Sequence, residues 1–268
     1  MIFTTWSVEE LLSFFMVLMR IGTLLVLLPI FGDKVVPPTV KVILSLTFSA
    51  VLFPILKANG VIHLEDAREW SQTTGRLLMT LATEVLVGLA VGFASQLVFH
   101  AIQIGGDFMA QFMGLSMASV YDPHMEGHTM VLGQMLSAFA ILTFLSVDGH
   151  HLLFRAMVET FNLVPQGHLV INAAFKDSMT HMVGNTMLFG IQLSAPMAMC
   201  MLLVNIVYGI MGKALPQLNI LTLSMASSVF IGGVVLLITY PSVQNGMSNL
   251  FQTYFEDMKQ FMVVYGGK

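Results

Sequence analysis

The sequence predicts an all-α, polytopic membrane-type protein: about six long apolar helices followed by a C-terminal amphipathic helix. Three observations carry that expectation. Of 268 residues, 56% are apolar and only 10% are charged, whereas a soluble domain runs at roughly 45–50% and about 25%. Apolar runs of about 20 residues recur, long enough to cross a ~30 Å hydrocarbon core at ~1.5 Å per residue. Near the C-terminus the continuous runs give way to apolar residues spaced by three and four, the signature of a helix with one greasy face. The formal net charge of −4 argues against a nucleic-acid partner. No period of 20–50 residues repeats, so a solenoid is excluded. The chain reads as one cooperative unit.

The first apolar segment covers 11–31. It carries Arg20 in its middle and stops at Pro29-Ile30-Phe31-Gly32, after which "DKVVPP" breaks any helix. Glu9 and Glu10 stand where a cleavable signal would be basic, and the run exceeds a signal's apolar core, so it is expected to stay. The second segment, 39–57, ends near Pro54 and Lys57. Residues 58–76, with His63, Glu65, Asp66, Arg68, Glu69 and Arg76, read as a solvated connector. The third segment, 77–99, contains Glu84 and Gln96 and leads to His100. The fourth, 129–147, runs into "DGHHLLFRAMVETFNLVP", and 155–185 reads as short amphipathic pieces.

The fifth and sixth segments, 186–212 and 220–239, are separated only by "KALPQLN" and form a tight hairpin. Pro216 cannot extend the incoming helix, and Gln217 and Asn219 complete the turn. Gly232, Gly233 and other small residues of this hairpin allow close helix approach where no hydrophobic gain separates helix from lipid. In the tail, 242–265, Val243, Met247, Leu250, Phe251, Tyr254, Met258, Phe261, Met262 and Tyr265 form one face, and Gly266-Gly267 ends the helix. Two readings stand for that face, a helix on the membrane surface or one packed on partner subunits. The mixed polar side weakens the first. With six spans both termini share one side, and the Lys/Arg balance places it in the cytoplasm.

Candidate chemistry is sparse. "DPHMEGH" sets His124 and His128 four apart with Glu126 between, but Pro123 and Gly127 favour a turn over a metal-binding helix. "DGHH" offers Asp148, His150 and His151, yet neighbouring helical side chains diverge, so a cap or a turn at Gly149 is expected rather than a metal site. Cys200 lies alone in an apolar run and cannot form an intrachain disulfide. No nucleophile–base set, P-loop or metalloprotease motif is present. No cofactor is expected. Arg20 and Glu84 are the ionisable residues deepest in apolar runs. They read as a buried pair, with each other or with partner subunits, against the alternatives of an ion relay or placement toward water.

One connector stands out. "GGDFMAQFMGLSMASVYDP", residues 105–123, is too Gly-broken for a lipid-facing helix and too greasy for a free loop. An ordinary helical stripe through Met109, Met113 and Met117 is one reading. The other is a conformable plug, since Met fills irregular space, Gly lets backbone bend, and irregular backbone at membrane depth belongs inside protein or along a cavity.

Three stretches, "QFMGLSMASVYDP", "DGHHLLFRAMVETFNLVP" and "LSAPMAMCMLLVNIVYGIMGKALPQLNI", resemble the FliR family of flagellar biosynthetic export-gate proteins. The order and spacing of segments fit along nearly the whole chain, and the flagellar branch looks closer than the injectisome one. The resemblance implies a non-enzymatic subunit of type III secretion in the bacterial inner membrane, at the flagellar basal body. With FliP and FliQ homologues it would form a closed entry channel for unfolded export substrates, with FlhB and FlhA homologues as further partners, and with membrane lipid around it. Residues 1–185 would be FliP-like and 186–268 FliQ-like. Gly105, Gly106, Phe108, Met109, Phe112, Met113, Gly114 and Met117 would belong to a plug facing the lumen. The rival reading is an ion-coupled carrier using Glu84 and Arg20.

Overall fold

A computed structural model describes residues 6–28, 36–115, 131–167, 173–215, 217 and 219–265. Among them every regular element is a helix: α1 Val8–Leu27, α2 Pro38–Ala58, α3 Leu64–Trp70, α4 Thr74–Phe112, α5 Val131–Ser146, α6 Gly149–Leu163, α7 Ala173–Ala214 and α8 Ile220–Tyr265. Among the described residues, five helices are long and apolar enough to cross a membrane. The number is six if α5 and α6 count as one broken span.

The acidic start of α1 has a local cause. Ser7 and Glu10 form a capping box: the Glu10 N–H donates to Ser7 Oγ at 3.2 Å and the Ser7 N–H to Glu10 Oε2 at 3.0 Å. Two orphan donors are thereby satisfied, and carboxylates suit the positive end of the helix. α2 starts on Pro38, where a missing N–H costs nothing. Gly60, at φ 69°, turns the chain out of α2.

Four expectations are corrected. The stretch 58–76 is not merely a solvated connector: α3 buries Ala67 and Trp70 against Met16. The third segment does not stop at 99; α4 continues unbroken through Gly105 and Gly106 to Phe112. Each Gly costs a helix about 1 kcal/mol, and packing that only Gly permits offsets that cost. The stretch 155–185 is not a set of short pieces, because α6 runs to Leu163 and α7 has begun at Ala173. The tail is not a separate helix, because α8 passes through Pro241 without a break. Its stripe of Val243, Met247, Phe251, Tyr254, Met258 and Met262 is buried inside the chain itself. Neither a membrane surface nor a partner is needed to cover it.

Packing divides the chain into two units, one of 1–97, 148–182 and 254–268, the other of 98–147 and 183–253. In the first, α1 buries Met16, Val17, Ile21, Leu24 and Leu25. Its crossing with α4 depends on glycine: a Cβ at Gly88 would stand 2.7 Å from the Arg20 carbonyl oxygen, and one at Gly92 would stand 2.6 Å from Leu27 Cβ. In the second, Phe99, Phe144 and Phe251 form a ring cluster with centroids 5.2–5.5 Å apart.

Candidate functional site

The first unit holds a charged clasp. Arg20 on α1 and Glu84 on α4 are both 0% exposed. The guanidinium meets the carboxylate through two bonds: Nε–H donates to Oε2 at 2.6 Å and Nη2–H to Oε1 at 3.0 Å. The planar fork of arginine fits a carboxylate in this way. Nη1 donates to the carbonyls of Thr160 at 3.1 Å and Val164 at 2.8 Å. The Val164 carbonyl lies past the last turn of α6, where no intrahelical donor reaches, and the Thr160 carbonyl also accepts the Val164 N–H at 2.9 Å, so Arg20 caps a helix far from it in sequence. The guanidinium carbon lies 4.4 Å from the centre of the Phe161 ring. Glu84 Oε1 also accepts the Gly167 N–H at 2.9 Å, and Gln166 Nε2 donates to the Ser13 carbonyl at 3.3 Å. The two carboxylate oxygens thus take three N–H donors. The arrangement satisfies a buried pair; it favours register over proton transfer.

The structure therefore brings Arg20 and Glu84 together. Reading the sequence missed the rest of the clasp: Thr160, Phe161, Val164, Gln166 and Gly167. One signal was present. In "NLVPQG", Pro165 keeps α6 from continuing past Leu163, and the end of the helix leaves carbonyls that need a donor.

The second unit holds a seam of close contacts. A Cβ at Gly105 would stand 3.1 Å from the Gly190 carbonyl oxygen, and one at Gly190 would stand 3.0 Å from that of Ala101. One at Gly106 would stand 2.7 Å from Gly133 Cα. Here α4 meets α5 and α7 backbone to backbone. Met109 and Met113 are buried, Phe108 is half-buried and Phe112 is exposed. The Met113 side chain lies in the notch at Gly232, where a Cβ would come within 2.4 Å of its Cγ. Gly114, at φ 78°, ends the helix, its N–H donating to the Gln111 carbonyl at 3.0 Å. The reading of 105–112 as irregular, hinge-like backbone is therefore corrected: Gly105 and Gly106 are contact glycines in a helix. Met117 lies outside the described residues.

In the hairpin, Gln217 and Asn219 are exposed in the turn, and the Asn219 carbonyl accepts the Leu223 N–H at 3.2 Å. Pro216 lies outside the described residues. Gly232 is a contact position, whereas a Cβ at Gly233 meets nothing within 4 Å. Cys200 is half-buried and free. His124, Glu126 and His128 lie outside the described residues. The expected divergence of the "DGHH" side chains is corrected: ligand atoms of Asp148, His150 and His151 all lie within 4.8 Å of one another.

A family model described as "Bacterial export proteins, family 1" matches residues 11–254. The chain belongs to this family. The matched region contains both the clasp and the seam. Among relatives, the flagellar biosynthetic protein FliR of Bacillus subtilis is 24% identical, over 95% of this chain and 96% of its own. That of Escherichia coli is 27% identical over 90% of this chain and 89% of its own. That of Aquifex aeolicus is 24% identical over 96% of each. The family match extends from α1 into α8.

Proposed function

We propose that this export-family chain is a structural subunit of the flagellar type III protein export gate in the bacterial inner membrane. The observation that carries the reading is the family match over 11–254, with FliR proteins similar along almost their whole length. With FliP and FliQ homologues the chain encloses the entry channel for unfolded export substrates, next to FlhB and FlhA homologues. Residues 1–185 take the FliP-like place and 186–268 the FliQ-like place. The exposed faces of α7 and α8 support a subunit covered by protein and lipid: Met199 is 71% exposed, Phe230 74% and Leu237 76%, and such contiguous apolar surface marks an interaction face. Saturation of Glu84 by Arg20 and Gly167 supports a scaffold rather than an ion carrier. The seam anchors α4 up to Met113, so we assign the channel plug to the connector beginning at Gly114. Conformable Met and Gly then serve closure without chemistry.

One experiment with two arms tests this. The chain is expressed alone and together with FliP and FliQ homologues, then purified in detergent. It is expected to co-purify as a defined complex with both. A monodisperse lone chain that ignores both partners overturns the reading. In the second arm, deletion of 115–120 is expected to leave complex yield intact and raise ion conductance in cells expressing the whole gate. A fully assembled deletion complex that stays tight to ions rejects the plug.

A further inference from the structure

We propose that Asp148, His150 and His151 form a site for one divalent transition-metal ion of the zinc, cobalt and nickel group. Their ligand atoms lie within 4.8 Å of one another. The two imidazole rings sit 4.2 Å apart, tilted by 36°. His151 Nδ1 and Asp148 Oδ1 face each other at 3.6 Å, too far for a hydrogen bond between them.

Two further observations point to a missing partner. Asp148 occupies the N-cap of α6, where an Asp carboxylate ordinarily accepts an N–H of the first turn. Here it makes no cap hydrogen bond. His150 Nδ1 is shielded from solvent and has no hydrogen-bond partner, which is uncommon for a buried polar atom. The geometry has a backbone origin. Asp148 stands at φ 56°, the one non-glycine residue with positive φ among those described. That left-handed turn places its carboxylate beside the first turn of α6, an arrangement that helical spacing does not predict.

Two imidazoles and one carboxylate make a borderline ligand set that suits zinc-like ions and leaves positions open for water. Metal–ligand bonds of about 2.0–2.2 Å set tetrahedral ligand atoms about 3.3–3.6 Å apart. Closure from the observed spacing therefore needs side-chain rotation. Asp148 and His151 are free to rotate, their side chains being 76% and 66% exposed. The positive end of α6 and Arg155, one turn on, oppose a cation. A lone carboxylate there gives little for calcium or magnesium, which need several oxygen ligands. Imidazole nitrogen selects the transition metals instead. A bound ion would tie the turn at 147–148 to the first turn of α6, the helix whose other end Arg20 caps.

The test uses the full-length chain in detergent, stripped with EDTA and titrated with cobalt(II). Binding is followed by the cobalt absorption bands, with zinc(II) and magnesium(II) as competitors. The expected result is one cobalt per chain, displaced by zinc and not by equimolar magnesium. His151→Gln and Asp148→Asn should each weaken binding by about tenfold or more, since even outer-shell changes cost about 10–100-fold. A His150→Ala/His151→Ala variant should lose the bands. A His124→Ala/His128→Ala variant should keep them. Zinc should also slow amide hydrogen exchange over 149–153 in the unmodified chain and not in His151→Gln, a change at an exposed position that leaves folding intact. Absence of bands in the unmodified chain, their survival in the His150/His151 variant, or their loss in the His124/His128 variant overturns the site. Displacement by magnesium overturns the metal class.

Discussion

The clasp of the first unit and the seam of the second hold helices together in opposite ways. Between helices in lipid there is little hydrophobic gain, so close packing and polar contacts must supply association. The clasp uses charge. Arg20 ties α1 to α4 and to the end of α6 with four hydrogen bonds, and the Gly167 N–H gives Glu84 a fifth. The seam uses the absence of side chains, with Gly105, Gly106, Gly133 and Gly190 bringing backbones into contact. The difference lies in how each fails. A clasp loses a partner and leaves a buried charge, so its loss is abrupt. A seam gains atoms and is pushed apart by their size, so its loss is graded.

The largest effect belongs to the clasp. Arg20→Met leaves Glu84 buried with only the Gly167 N–H, and breaking a buried pair in this way costs about 3–5 kcal/mol. The Arg20→Met/Glu84→Gln double variant is expected to be milder than Arg20→Met alone. Thermal unfolding in detergent reads both. Equal, additive losses from the two single changes would break the contrast, because the clasp would then behave like two unrelated contacts.

Next comes the seam where backbone meets backbone. Gly190→Ala and Gly105→Ala each push a methyl against a carbonyl oxygen 3.0–3.1 Å away. Overpacking of that kind costs about 1–3 kcal/mol. A Gly105→Val change is expected to cost more than Gly105→Ala, and equal melting temperatures for the two would refute the graded behaviour.

The smallest effects separate two adjacent glycines. Gly232→Ala meets only the flexible Met113 side chain, which can move aside, so the loss is expected to be about 1 kcal/mol or less. Gly233→Ala meets nothing and should raise helix stability by up to about 1 kcal/mol. The two alanine variants should therefore melt on opposite sides of the unmodified chain. A shared direction would show that the notch at Gly232 is not specific.

Segment hydrophobicity made the helices legible, and Arg20 and Glu84 stood out because charge in an apolar run needs a partner. The capping box was written in Ser7 and Glu10. What stayed illegible was set by tertiary contact. Gly105 and Gly106 look like breaks until Gly190 and Gly133 appear opposite them, because local propensity prices a glycine without knowing what it lets approach. The change from continuous apolar runs to apolar residues spaced by three and four suggested a new element, yet α8 continues through it, and Met247, Phe251 and Met258 are buried. The Thr160 and Val164 carbonyls are backbone groups whose one sequence signal was the helix stop at Pro165. The "DGHH" cluster was misread because the divergence of neighbouring helical side chains was taken to separate His150 and His151, whose rings lie 4.2 Å apart.

The clasp also imposes an order in time. Arg20 leaves the ribosome well before either of its supports: Glu84 follows 64 residues later and Val164 144 residues later. At about 5–20 residues per second, the full set of acceptors is complete about 7–29 s after Arg20 appears. For that interval α1 is a greasy helix carrying an unmatched cation, which resists settling at the bilayer centre. The N-terminal helix is thus made first and seated late, and a nascent chain stalled before residue 164 should leave α1 open to water-soluble labelling reagents.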